Sequence, residues 1–95
     1  MISMVEFCVR TRLERPVVET WVEVGWLIPP QTNPELGFAE IDVARARLIS
    51  ELRGDFGVND EGVAVILHLL DQVHDLRRTL GEILAELRRR KAIND

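Results

Sequence analysis

Apolar residues fall at Val63, Ile66, Leu67, Leu70, Val73, Leu80, Leu84 and Leu87 of this 95-residue chain, the three-and-four spacing of one helix face. A second line, Val65, Leu69, Leu76 and Ile83, widens that face. Asn59 is a good N-cap, and Asp60 and Glu61 set negative charge at the positive end of the helix dipole. Arg88, Arg89, Arg90 and Lys91 set positive charge at the other end. The pattern therefore predicts one helix over 58–91, roughly 45 Å long at the usual rise. That is several times the radius of gyration expected of a globule this size. Part of the face must be covered from outside the domain, and a second copy is the expected cover. The dimer seam would use Ile66, Leu70, Val73, Leu76, Leu80, Ile83, Leu84 and Leu87. Arg77 falls mid-seam, where an antiparallel partner could answer it with Asp71, Asp75 or Glu82.

Upstream the periods are shorter. Ser3-Met4-Val5-Glu6 reads as a capping box opening a helix that ends near Thr11, with Val5, Cys8 and Val9 inward. Pro16 suits the first turn of a second helix carrying Val17, Val18, Trp21, Val22 and Val24, with Glu19 and Glu23 outward and Gly25 as a left-handed stop. Residues 3–25 thus form a helix-turn-helix. Pro29 and Pro30 exclude a helix through 26–38, where a turn at Gln31 to Leu36 predicts a small β-wing and Phe38 is expected to tuck back onto the core. A third helix follows, Glu40 to about Arg53, with Ile41, Ala44, Leu48, Ile49 and Leu52 on one face and Phe56 anchoring the corner over 39–57. The fold class is mainly all-α, in a single domain spanning 1–95.

Charge narrows the function. The net charge of −4 spreads along the chain, and no segment is basic overall, which disfavours a phosphate-binding role. One cysteine, Cys8, excludes an internal disulfide and fits a reducing cytoplasm. No apolar run approaches a membrane span, and no signal peptide is expected. His68 and His74 are six apart, on opposite sides of a helix, so no metal site is expected. There is no phosphate loop and no nucleophile beside a base, so neither catalytic residues nor a cofactor are expected.

The order of Ser3-x-x-Glu6-Phe7-Cys8, Trp21-Val22-Glu23-x-Gly25-Trp26-Leu27-Ile28-Pro29 and Asp55-Phe56-Gly57-Val58-Asn59 resembles the MerR-type winged-helix family across about residues 3–88. The run Asp60-Glu61-Gly62-Val63-Ala64-Val65-Ile66-Leu67, with Leu69-Leu70-Asp71, makes it more similar to one branch, the CbpM-type chaperone modulators. That resemblance implies a MerR-like helix-turn-helix with a small β-wing and a long C-terminal helix, pairing as an antiparallel homodimer. It also implies a partner: the J-domain of a DnaJ/CbpA-like co-chaperone, held away from DnaK. Such a J-domain presents a basic helix, which Glu14, Glu19 and Glu23 would complement. Trp26, just past the helix stop, is open to either role, core residue or interface anchor. The alternative implied is a DNA-binding MerR regulator. Against it, Phe38 stands where such proteins carry the tyrosine of an Arg-Tyr pair, and after Arg15 the second helix offers only Glu19 and Glu23 as charged groups. Arg10 and Arg12 weaken that argument without reversing it. An adaptor with an unrelated partner is a third reading.

Overall fold

The computed structural model describes residues 1–30, 33 and 37–94, the side chain of Asn94 excepted. Among the described residues four helices follow one another: α1 Met4–Thr11, α2 Arg15–Glu23, α3 Glu40–Gly54 and α4 Asp60–Asn94. Contacts divide the chain into two compact units, Met1–Val63 and Ala64–Asp95.

In the first unit the helix ends lie where local chemistry puts them. The Glu6 amide donates to the Ser3 hydroxyl at 3.1 Å. Pro16 occupies the first turn of α2. Gly25 takes φ 83°, and the Trp26 and Leu27 amides then reach back to the Trp21 carbonyl, turning Leu27 into the core. Asn59 caps α4 by accepting from the Gly62 amide at 2.8 Å.

The core is centred on two rings. Phe7 and Phe38 are fully buried and stacked, centroids 4.1 Å apart at 15°. Val18, Trp21, Leu27, Val43, Ala46, Ile49 and Val63 are buried with them. Phe38 does tuck back, held by an antiparallel bridge in which it and Ile2 exchange both backbone bonds, at 2.9 and 2.7 Å. Gly37 makes this approach possible: its φ is 135°, and a Cβ there would sit 2.7 Å from the Met1 Cβ. The expected wing turn lies, apart from Asn33, outside the described residues. The described flanks contain no strand, only that bridge to Ile2.

Three inward faces differ from expectation. On α1 the buried residues are Met4, Phe7 and Thr11, whereas Val5 and Val9 are 73% and 72% exposed. The stack with Phe38 decides this, because one aromatic ring buries more apolar area than a valine and sets the helix phase. On α3 the inward line is Asp42, Val43, Ala46 and Ile49, while Ile41 and Ala44 are exposed and Leu48 and Leu52 half-buried. Val24, placed on the α2 face by periodicity, caps the helix instead and is exposed. Phe56 does not anchor the corner; it is 74% exposed. The corner closes through its backbone. Asp55 and Phe56 amides donate to the Glu51 carbonyl, Val58 donates to Leu52, and Gly57 sits at φ 65°.

Asp42 is buried and accepts from the Ala39 amide at 2.8 Å, fixing the start of α3. Burial pushes its carboxyl above the ordinary value of 3.8, outweighing the lowering by the Ala39 amide and Arg45. The folded chain therefore holds this proton more tightly than the unfolded chain. Its contribution to stability is present in acid and is lost as pH rises through the folded value. Asp42→Asn keeps an acceptor for Ala39 without that titration. Urea midpoints are expected to shift in favour of the variant, relative to wild type, as pH rises from about 4 to about 6.

The second unit is α4 from Ala64 onward. Leu67 is buried and Ile66 and Leu70 half-buried, but Val73, Leu76, Leu80, Ile83, Leu84 and Leu87 are exposed. The helix continues past the expected end at Lys91 to Asn94. Glu86 is gripped by Arg89 and Arg90 one turn on, at 2.6 and 3.1 Å, a local pairing of modest worth on an exposed surface.

Candidate functional site

The helix-turn-helix surface is built from α1, the turn over Arg12 and Leu13, and α2. Arg12 takes a left-handed conformation, φ 59°, with the Leu13 amide returning to the Cys8 carbonyl at 3.2 Å. This tight turn fixes where α2 begins. Glu14 is the N-cap residue of α2 through its backbone carbonyl, which accepts from Val17 and Val18, so its side chain is left exposed. Thr20 folds its hydroxyl onto the Pro16 carbonyl at 2.9 Å.

Two cations of this surface, Arg10 and Arg15, are engaged from within, while Arg12 in the turn is exposed. Arg10 makes a two-pronged contact with Glu40 on α3, at 2.8 and 2.7 Å. The paired hydrogen bonds hold the Glu40 carboxyl below its usual range and raise Arg10 further. The Arg10 carbonyl also accepts from Arg47. Arg15 donates to Glu19 one turn on, at 2.7 Å. The structure therefore places Glu14, Glu19 and Glu23 exposed along α2, with Glu19 partly neutralised. The Arg10–Glu40 bridge, linking residues thirty apart, had no local signal in the sequence.

Trp26 falls between its two expected roles. It is half-buried, its ring 5.8 Å from that of buried Trp21, and its carbonyl accepts from Arg45. Its exposed part remains available as a contact. Cys8 is half-buried with its thiol 3.9 Å from the Met4 sulfur, and desolvation raises it more than nearby Arg15 lowers it. A raised thiol is a packing group rather than a ready nucleophile. An open groove at the start of α4 is lined by Arg53, Gly54, Val58, Asn59, Asp60 and Glu61, with Arg53 and Asp60 bridged at 3.2 Å. Among the described residues, no three His, Cys, Asp or Glu side chains are placed to hold a metal ion, and no helix is long and apolar enough to cross a membrane.

Two short helices joined by a tight turn, followed by a third helix and a long fourth one, define a helix-turn-helix protein of mainly α class. The chain belongs to the MerR HTH family of regulatory proteins, whose family model matches residues 2–88. No curated protein and no solved structure matches it.

Proposed function

We propose that this protein is a cytoplasmic chaperone modulator of the CbpM type, a homodimer that binds the J-domain of a DnaJ/CbpA-like co-chaperone and blocks its engagement of DnaK. The mechanism is occlusion, without chemistry or cofactor. One observation carries the reading: α2 exposes Glu14, Glu19 and Glu23 while Arg10 and Arg15 are bound to carboxylates of the chain itself. DNA would meet fixed negative charge where it needs cations, and each such juxtaposition is unfavourable. A basic helix meets the complement of its own charge, which favours encounter and orientation. The homodimer is supported by the exposed leucines of α4, which a single copy leaves in water.

Membership of a helix-turn-helix regulatory family favours a second reading, operator binding by the same dimer. One experiment separates the two. Calorimetric titration against a purified J-domain and against duplex DNA, at several salt concentrations, is expected to give saturable binding to the J-domain alone at near-physiological salt. Glu19→Lys with Glu23→Lys is expected to weaken that binding about tenfold by reversing two contact charges, with the melting temperature little changed. Tight DNA binding that falls steeply with salt would establish the regulator instead.

A further inference from the structure

Val5 and Val9 lie one turn apart on α1, both nearly three-quarters exposed. The opposite side of that helix buries Met4, Phe7 and Thr11, so the valine face is turned away from the core. Half-buried Cys8 lies along its edge, and the charges of Arg15 and Glu19 reach its thiol. The start of α2 therefore borders the valine face.

The surroundings are acidic. Among the described residues Glu6, Glu14 and Glu23 are exposed and form no ion pair. Arg10 is held by Glu40 and Arg15 by Glu19, which leaves Arg12 as the unpaired cation of the two helices among the described residues. Two branched apolar side chains beside exposed carboxylates, with Arg12 the one unpaired cation among the described residues of the two helices, have little to offer a nucleic acid, whose backbone needs cations. They match the inverse surface: a helix with an apolar ridge and flanking lysines or arginines, laid along α1.

We infer that the α1 face centred on Val5 and Val9, with Glu6 on the same helix and Glu14 and Glu19 on the bordering start of α2, is the docking surface for the basic amphipathic helix of the J-domain. This rests on the function proposed above and locates it. The valines supply the apolar area removed from water, and the carboxylates orient the incoming helix. Truncating the valines changes no buried contact of the free protein.

The test is calorimetry of Val5→Ser/Val9→Ser against a purified DnaJ-like J-domain, with wild type alongside and with melting and sedimentation of the free proteins measured. The double variant is expected to bind at least about tenfold more weakly, since two valines no longer leave water. Its binding heat-capacity change should be smaller in magnitude. Melting and sedimentation should match wild type. If wild type binds and the variant binds equally well, this docking face is wrong while the proposed function stands. If wild type does not bind a J-domain, the function fails and the docking face with it. If the substitutions instead change the sedimentation of the free protein, the face is a contact between copies and the inference is overturned.

Discussion

Phe38→Ala is expected to destabilise the protein by about 3–5 kcal/mol, the usual cost of emptying a fully buried aromatic site. The ring is completely enclosed and stacks on Phe7 at 4.1 Å. Its own backbone is paired with Ile2, so the site cannot easily collapse around the void. A domain of this size has a total stability of about 5–15 kcal/mol. The variant should therefore be partly unfolded at physiological temperature, and urea titration at 25 °C should show a midpoint well below that of wild type. Phe56→Ala is the matched control: the same atoms are removed from a ring that is 74% exposed, and the midpoint should scarcely move. A loss under about 1 kcal/mol at Phe38 would mean that the stack does not organise the core.

The second large effect is expected on α4. Leu80→Glu with Leu84→Glu should convert the proposed dimer into a monomer, because four leucines per dimer, each about half exposed in the single chain, lose about half of the ~1.5–3 kcal/mol that full burial is worth. The dissociation constant should rise by about a hundredfold or more. Sedimentation equilibrium reads this directly, wild type at twice the chain mass and the variant at one. Both leucines are exposed in the single chain, 56% and 42%, so the substitution removes no core contact of the first unit. A wild type that sediments as a monomer would remove the seam, and an unchanged dimer in the variant would place it elsewhere. Arg77 lies in the middle of this register, where its charge would disfavour a slipped pairing more than it strengthens the correct one.

Helix boundaries were legible in the sequence because each rests on local chemistry. Ser3, Pro16, Gly25 and Asn59 act within one turn of themselves, and all four stand where they were expected. Helix faces were harder. In α1, apolar residues at 4, 5, 7, 8 and 9 satisfy more than one phase, and local spacing favoured Val5, Cys8 and Val9. The choice is made by Phe38, thirty-one residues after Phe7, through a contact that periodicity does not register. The α3 face slipped for a similar reason: its inward line includes Asp42, whose charge removed it from any apolar pattern although its carboxyl is what caps Ala39. Phe56 looked like an anchor because aromatic residues usually bury, yet backbone bonds, with the Arg53–Asp60 ion pair across them, close that corner.

The candidate site shows the same division. The exposed carboxylates of α2 could be read from their spacing opposite Val18 and Trp21. The occupation of Arg10 by Glu40 could not, since it depends on how α1 packs against α3. That pairing removes Arg10 from the charge the surface can offer a partner.

The two tryptophans, Trp21 and Trp26, both lie at the end of α2, within 5.8 Å of each other, and the chain has no tyrosine. Intrinsic fluorescence is therefore a reporter of the first unit alone. Far-ultraviolet dichroism is weighted toward α4, the longest helix. The two signals together resolve the chain by region without any added label. Coincident unfolding curves would mark one cooperative molecule. A dichroism curve that moves with protein concentration while the fluorescence curve stays fixed would show the long helix melting by dissociation, with the tryptophan-bearing unit still folded.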